Sequence, residues 1–188
     1  MIATRALVGC KLRLLPQRLE HAALLARWYG DAEVRHWLHR SEDPLELFSA
    51  EAFEQRIREV FVDPGEIRFV IEADGGLIGD VGLIGIHRAG RGELSIAIGE
   101  PGRWGQGYGA DAIRTLLRFG FAELGLRRVT LVADADNARG IRCYERCGFR
   151  HEGVLRQHRL RYGKPLDMVA MAVLRDEFAA AERDGGAR

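Results

Sequence analysis

The stretch Glu93–Gly109 (ELSIAIGEPGRWGQGYG) constrains the fold most, because it passes from a strand pattern to a glycine-rich loop. Its first half alternates Leu94, Ile96 and Ile98 with small residues, the period of two that predicts a β-strand. Three glycines at alternate positions follow, and a helical pattern with one apolar face begins at once. A strand, a glycine loop and a helix start bring free backbone N–H groups close to a ligand. This arrangement favours an anionic group such as a pyrophosphate.

Other interpretations of this loop compete with pyrophosphate binding. The spacing Gly105-x-Gly107-x-x-Ala110 fits a loose dinucleotide-binding fingerprint, but that fingerprint belongs to a tight turn early in a chain, so it ranks second. A Walker-type nucleotide loop is excluded, because no Gly-Lys-Ser/Thr follows the glycines. An ordinary glycine-rich turn stays open, since short glycine motifs often occur by chance.

Composition and charge limit the class of protein. The chain has 188 residues, of which 47% are hydrophobic, enough for one domain with a core. Its formal net charge is +1, which gives no basic field for nucleic acid. No apolar run is long enough to span a membrane and no signal peptide is recognisable, so we expect a cytoplasmic protein without a membrane partner. Its three cysteines lack CxxC spacing, which argues against a disulfide framework or a zinc site.

Predicted strands and helices alternate along the chain. The strands are expected at residues 7–15, 67–73, 77–87, 93–98, 128–133, 149–159 and 166–174. Helices lie between them, and three of these have cap residues at Asp31, Ser49 and Asn137. The sequence therefore predicts a single α/β domain over residues 1–188 with a mixed sheet. Its core covers about residues 7–175, and the tail 179–188 is expected to be frayed.

Two segments resemble motifs of the GNAT superfamily of acetyl-CoA-dependent N-acetyltransferases. Trp104–Ala110 (WGQGYGA) is similar to the acyl-CoA pyrophosphate loop of that family, and Asn137–Phe149 (NARGIRCYERCGF) resembles its Asn…Tyr-Glu-x-x-Gly-Phe segment. The Trp-Gly-x-Gly-Tyr run, Asp31–Leu38 and Gly153–Arg156 resemble the branch that acetylates the N-terminal alanine of ribosomal proteins and, in relatives, polyamines. One departure is Gly140, where the family more often has Ala or Ser.

The resemblance implies a GNAT-like α/β (α+β) fold. Its mixed central sheet should have about seven strands, mostly antiparallel, splayed at the acetyl-CoA site and flanked by helices. The implied co-substrate is acetyl-CoA, and no metal is implied. The residues implied to bind acetyl-CoA are Ile96, Ala97, Ile98, Gly99, Trp104, Gly105, Gln106, Gly107, Tyr108, Gly109, Ala110, Asn137 and Tyr144. Asn137 bonds the cofactor, caps its helix, or does both.

Acetyl transfer to an amine needs a group that accepts a proton. An amine attacks a thioester only when it is neutral, and an aliphatic amine has a pKa of about 10. The resemblance gives the role of base to a glutamate at the start of the central strand, which is Glu93 here. A solvated charge beside a turn is an equally good interpretation of Glu93. Glu100, Asp134 and His87 are weaker candidates.

Tyr144 is the candidate acid. The pKa of a thiol, about 8.5, lies below that of a tyrosine, about 10, so a neutral phenol can hydrogen-bond the sulfur as its charge develops. A tyrosine that packs on its helix with its hydroxyl in water is the alternative. Backbone N–H groups near Ile98 and Gly99 are natural donors to the thioester oxygen.

The expected function is transfer of the acetyl group of acetyl-CoA to a primary amine, by direct attack in a ternary complex. The amine is a protein N-terminal α-amine or a small amine. Alternatives are a non-catalytic acyl-CoA-binding sensor on the same fold, acetylation of an antibiotic amine and, more distantly, a nicotinamide-dependent oxidoreductase. The protein is expected as a monomer or homodimer.

Acceptor specificity is expected in Trp28–Arg40, in the helix after it and in the Gln157–Pro165 hairpin. Trp28, Trp37 and Phe48 are candidate pocket residues, although such aromatic side chains more often belong to a core.

Overall fold

The computed structural model describes residues 5–38 and 43–185, and these residues form one eight-stranded sheet in the order β1-β2-β3-β4-β5-β6-β8-β7. The strands are β1 (Leu7–Val8), β2 (Arg13–Pro16), β3 (Ile67–Ala73), β4 (Gly76–His87), β5 (Arg91–Ile98), β6 (Arg128–Asp134), β7 (Arg150–Arg161) and β8 (Lys164–Leu174). All neighbouring strands are antiparallel except β5 and β6, which are parallel. The predicted mixed, mostly antiparallel sheet is therefore confirmed.

Six helices flank this sheet in the described part of the chain. They are α1 (Ala22–Gly30), α2 (Ala32–His36), α3 (Ala50–Val62), α4 (Tyr108–Ala122), α5 (Ala138–Arg146) and α6 (Arg175–Gly185). The predicted caps are confirmed, since the side chains of Asp31, Ser49 and Asn137 each accept a backbone N–H of the following helix. None of these helices is long and apolar enough to cross a lipid bilayer.

The eighth strand arises at the N-terminus, where a single strand over residues 7–15 was expected. The chain instead turns back on itself, and β1 pairs with β2. The Asp111 carboxylate of α4 accepts the backbone N–H groups of Cys10 (3.0 Å) and Lys11 (2.7 Å) and holds this turn. A hydrogen-bond partner about a hundred residues away in the sequence thus turns the chain where the local pattern predicts one continuous strand.

The main core lies between the sheet and α4. Ile113, Leu116 and Leu117 of α4 are fully buried against it, as the helical pattern predicts. Gly120 lets the helix approach closely, because a Cβ there would lie 3.2 Å from the Leu83 side chain. A second, smaller core joins α1 and α3 through Leu25, Trp28, Phe48, Phe53 and Ile57.

The expected splay of the sheet lies between β5 and β6. These parallel strands pair only from Arg91–Glu93 to Arg128–Thr130, although both continue further. Beyond that point β6 pairs only with β8, which leaves one edge of the second half of β5 open.

The C-terminal segment, where a frayed tail is expected over residues 179–188, continues from β8 as a helix. Residues 175–185 form α6, and Phe178 is buried in the main core with its ring centroid 5.5 Å from that of Phe121. Arg118 and Glu182 form an ion pair at 2.6 Å between α4 and α6. Residues 179–185 therefore lie in a helix that the sequence did not predict, and fraying of the tail stays a prediction. Residues 186–188 lie outside the described part of the chain. A single domain over residues 1–188 stays a prediction.

Candidate active site

The glycine loop leaves β5 and delivers the chain to the start of α4. Gly105 and Gly107 have φ angles of +75° and +88°, a region that side chains with a Cβ rarely adopt. Gly107 is also the N-cap of α4, so no side chain covers the unpaired N–H groups of the first turn. The indole N–H of Trp104 donates to the carbonyl oxygen of Ile98 at 2.8 Å and ties the loop to the strand end.

Other contacts fix this loop and give it a positive border. The Tyr108 hydroxyl and Arg103 both bind the Asp74 carboxylate, at 2.5 and 2.7 Å, which anchors the loop to the turn between β3 and β4. The ammonium of Lys11 lies 3.3 Å from the Gln106 carbonyl oxygen. A helix N-terminus with a cation beside it is suited to an anion.

A cavity of about 380 Å³, here called the loop cavity, extends from this loop along the open edge of β5. Every residue expected to bind the cofactor lines it except Gly99 and Gln106. Gly99 packs against Trp28, whose ring would lie 2.1 Å from a Cβ at that position. The Gln106 side chain is exposed and donates to the Gly102 carbonyl oxygen at 2.7 Å.

The open edge of β5 has its backbone donors at alternate residues. Gly99 donates its N–H to Ile78 of β4 at 2.9 Å, so it is not available to a thioester oxygen as expected. Because N–H groups alternate along a strand, those of Ile96 and Ile98 point away from β4 towards the gap. These two residues therefore supply the free donors of the edge.

A second cavity of about 270 Å³, here called the polar cavity, lies beside the first. The two cavities share lining residues, among them Trp37, Ile96, Asn137 and Tyr144. A ligand in one cavity thus lies next to a ligand in the other, and Tyr144 faces both.

Tyr144 is a neutral phenol whose ring is packed against its neighbours. It lies on α5, and its ring packs edge-on against Phe149 with centroids 6.2 Å apart. Burial raises the pKa of its hydroxyl above the ordinary value, and the neighbouring Cys143 and Cys147 raise it further. Its hydroxyl forms no hydrogen bond with any described residue, so it remains available as a donor.

Glu93 lines the polar cavity near the point where β5 and β6 separate. Its side chain is half-buried and has no hydrogen bond or ion pair with any residue in the described ranges. Its half-burial in a cavity distinguishes Glu93 from a fully exposed surface charge.

The three weaker candidates for the base already have hydrogen-bond or ion-pair partners. Glu100 accepts the Trp28 indole N–H at 2.7 Å and pairs with Arg27. Asp134 is buried and bound by Arg159 at 2.7 Å and by Arg161. The ring nitrogen Nδ1 of His87 accepts the N–H of Ala89 at 3.1 Å in a turn.

Asn137 caps α5, and Gly140 explains how it does so. The Asn137 side chain accepts the N–H of Gly140 at 2.9 Å. A Cβ at position 140 would lie only 2.7 Å from the Asn137 amide nitrogen. Glycine at position 140, where the family more often has Ala or Ser, therefore leaves room for the Asn137 side chain to cap the helix.

One wall of the polar cavity consists of buried charged groups that sequence reasoning missed. Arg68 of β3 donates to Glu66 at 2.6 Å and to the Ser95 hydroxyl at 3.0 Å, and it lies 3.6 Å from Asp80 of β4. The Tyr29 hydroxyl donates to Asp80 at 3.1 Å. Burial raises the pKa of Asp80 to about 6, and Arg68 offsets this only in part. The sequence signal that could have indicated these groups is a charged residue inside each of two mostly apolar strands, Arg68 in β3 and Asp80 in β4.

Trp37 forms the border of both cavities, whereas Trp28 and Phe48 belong to the core. The guanidinium of Arg139 stacks on Trp104 at 3.9 Å and lies 5.9 Å from the Trp37 ring centroid. His36 contacts the hydroxyl of Tyr162 at 3.3 Å, which connects α2 to the turn between β7 and β8. The two regions expected to set acceptor specificity therefore meet here. Residues 39–40 of the first region lie outside the described part of the chain.

Comparison with known proteins finds related acetyltransferases. Spermidine N(1)-acetyltransferase of Escherichia coli (strain K12) is 28% identical over 181 residues, which cover 93% of this chain and 92% of that relative. An uncharacterized N-acetyltransferase of Bacillus licheniformis is 26% identical over 172 residues, covering 90% of this chain and 96% of the relative.

Solved structures agree on the fold. The crystal structure of spermidine N-acetyltransferase from Vibrio cholerae in complex with CoA and spermine superposes with a TM-score of 0.82 at 24% identity, covering 90% of this chain and 98% of the other. The model of the acetyltransferase (GNAT) domain matches residues 11–150, and these contain both the glycine loop and the Tyr144 segment. The chain thus belongs to the GNAT acetyltransferase family and is an acyltransferase, as its resemblance to acetyl-CoA-dependent N-acetyltransferases predicts.

Proposed function

We propose that this enzyme transfers the acetyl group of acetyl-CoA to a primary amine of the polyamine class, by direct attack of the amine in a ternary complex. The observation that carries the proposal is the meeting of two cavities at Tyr144, one beside the glycine loop and one lined by free Glu93. The polyamine class is supported by the likeness to spermidine acetyltransferases. We place the enzyme in the cytoplasm.

The loop cavity is assigned to acetyl-CoA. The left-handed glycines and the first turn of α4 would bind the pyrophosphate, with the Lys11 ammonium close by. The free N–H groups of Ile96 and Ile98 would pair with the pantetheine amides or the thioester oxygen. Such donors stabilise an oxyanion where it forms and need no reorganisation during the reaction.

The polar cavity is assigned to the acceptor, with Glu93 as base. The acceptor enters as an ammonium ion, and Glu93 takes its proton directly or through water. The amine nitrogen then attacks the thioester carbon and forms the C–N bond, and collapse of the tetrahedral intermediate breaks the C–S bond. The Tyr144 phenol donates its proton to the departing sulfur. The nitrogen loses its second proton through water, which reprotonates the phenolate, and Glu93 releases the first proton to solvent.

A thermal-shift experiment with acetyl-CoA, coenzyme A and NAD, followed by thiol release with a panel of amines, tests this function. Acetyl-CoA is expected to raise the melting temperature, because it binds the native state, and spermidine is expected to release thiol. Stabilisation by acetyl-CoA without thiol release from any amine would instead support a non-catalytic sensor. Stabilisation by NAD alone would contradict the assignment of the loop.

A further inference from the structure

We propose that Asp80 and Tyr29 form a second ammonium site in the polar cavity, which binds the non-reacting end of a diamine or polyamine acceptor. This inference rests on the proposed function and deepens it. It assigns a specificity role to two residues that the reaction itself does not use. The reacting amine lies between Glu93 and Tyr144, and the distal ammonium lies at Asp80.

The strand register puts both carboxylates on one face of the sheet. Asp80 lies directly opposite Ala97 and Glu93 directly opposite Ile84, and residues that are directly opposite share a face. Glu93 and Ala97 are four residues apart on β5, which separates the Cα levels of Glu93 and Asp80 by about 13 Å along the strand. This distance suits a long acceptor with a charge at each end.

Among the described residues, Asp80 has one hydrogen-bond donor and one more distant cation beside it, fewer donors than its carboxylate can accept. It is 2% exposed, and the Tyr29 hydroxyl, 3.1 and 3.2 Å from its two oxygens, is its hydrogen-bond donor in the described structure. Arg68 lies 3.6 Å away, too far for a hydrogen bond, and its Nε and Nη1 donate to Glu66 and Ser95. An ionised carboxylate has about four acceptor positions, so Asp80 has room for further donors. An ammonium group carries three such donors.

Apart from Glu93, the other charged groups around the cavity already have partners, so Asp80 is the carboxylate that remains to bind the distal ammonium. Arg56 and Arg68 face it and are themselves bound by Glu66. Asp134, across the cavity, is held by Arg159 and Arg161. The raised pKa of Asp80, about 6, reflects a desolvation cost that its present neighbours do not fully offset. A bound cation would offset more of this cost.

Paired acceptors test the site on the unmodified enzyme. 1,8-Diaminooctane and 8-amino-1-octanol have similar length and a polar group at each end, but only the diamine has a second charge. We expect kcat/KM for the diamine to exceed that for the amino alcohol at least about tenfold at pH 7.5, the effect of one charged hydrogen bond. Equal kcat/KM values would overturn the proposal.

The variant Asp80→Asn is expected to reduce this preference for the diamine about tenfold, mainly through KM, because the distal ammonium loses its anion. Exposed Asp176 of α6 offers a matched control, and Asp176→Asn should keep the wild-type ratio. If Asp80→Asn lowered kcat/KM equally for both acceptors, the role of Asp80 would be structural and the proposal wrong. If wild-type enzyme acetylated no amine at all, the proposed function would fail instead.

Discussion

The two cavities share some lining residues, but the groups that would bind a ligand come from different parts of the backbone. The loop cavity depends on one continuous run, in which the strand end, the two left-handed glycines and the first turn of α4 follow each other within residues 96–110. The polar cavity takes its charged groups from α3, β3, β4, β5 and β6. Anion binding by backbone N–H groups is therefore a local property of the sequence, whereas recognition of a cation by side chains depends on the register of the sheet.

The largest effect we expect is the loss of acetyl-CoA binding when the backbone of the glycine loop is forced out of its conformation. Gly107→Val puts a β-branched side chain at a φ of +88° and at the N-cap of α4. Acetyl-CoA affinity should fall more than about 100-fold, so the stabilisation of about 2.7 kcal/mol expected at a ligand concentration of 100 Kd should nearly vanish. Thermal shift or calorimetry with acetyl-CoA measures this.

The matched control is Gly125→Val, in an exposed turn with a φ of +67° and open space around it. It has the same kind of backbone strain but lies away from the cavity, so it should lower the melting temperature and keep the acetyl-CoA shift. Loss of the shift in both variants would show that strain, not the loop, is responsible.

Tyr144 lies where the cavities meet, and Tyr144→Phe separates binding from chemistry. The ring and its contact with Phe149 are kept, and only the hydroxyl is lost. We expect acetyl-CoA affinity to change little and kcat to fall on the order of 100-fold, since the phenol acts as sulfur charge develops. Single-turnover measurement is preferable, because product release can limit turnover. An unaltered single-turnover rate at unchanged stability would refute the role of Tyr144 as acid.

The polar cavity should instead respond to pH. Glu93→Gln is expected to lower the acetylation rate about tenfold at mildly acidic pH, where the amine is most protonated, and less as pH rises. The rate of spermidine acetylation between pH 6 and 9 measures this. Exposed Glu54 of α3 provides a control, and Glu54→Gln should follow the wild-type profile. A Glu93→Gln profile parallel to wild type would make Glu93 a solvated charge.

Sequence reasoning found the groups whose roles depend on neighbours in the chain. The glycine loop, the Asn137 cap and Tyr144 lie within two short motifs, and the resemblance of these motifs to those of a known family is enough to predict them. Lys11, by contrast, reaches the loop across 95 residues of sequence. Asp80 and Arg68 need both the strand register and the identity of the covered face, which a single-residue slip would reverse. The helix at 175–185 was missed for a related reason, since its buried Phe178 contacts Phe121 of α4.

The smallest expected effect concerns the cost of keeping Asp80 ionised. Because its pKa in the folded protein is about 6, above the ordinary value of 3.8, the folded protein binds a proton at pH values where the unfolded chain has released it. The contribution of this group to the free energy of unfolding therefore falls as pH rises from about 4 to 6 and stays low above. Asp80→Asn removes the charge and keeps an oxygen that can accept from Tyr29. We expect the variant to be more stable than wild type at pH 8, by about 2 kcal/mol, and to lose most of this advantage at pH 4.5. Urea unfolding at both pH values measures the difference. A variant less stable than wild type at pH 8 would mean that attraction between Asp80 and Arg68 outweighs desolvation. The carboxylate would then already be satisfied without an acceptor.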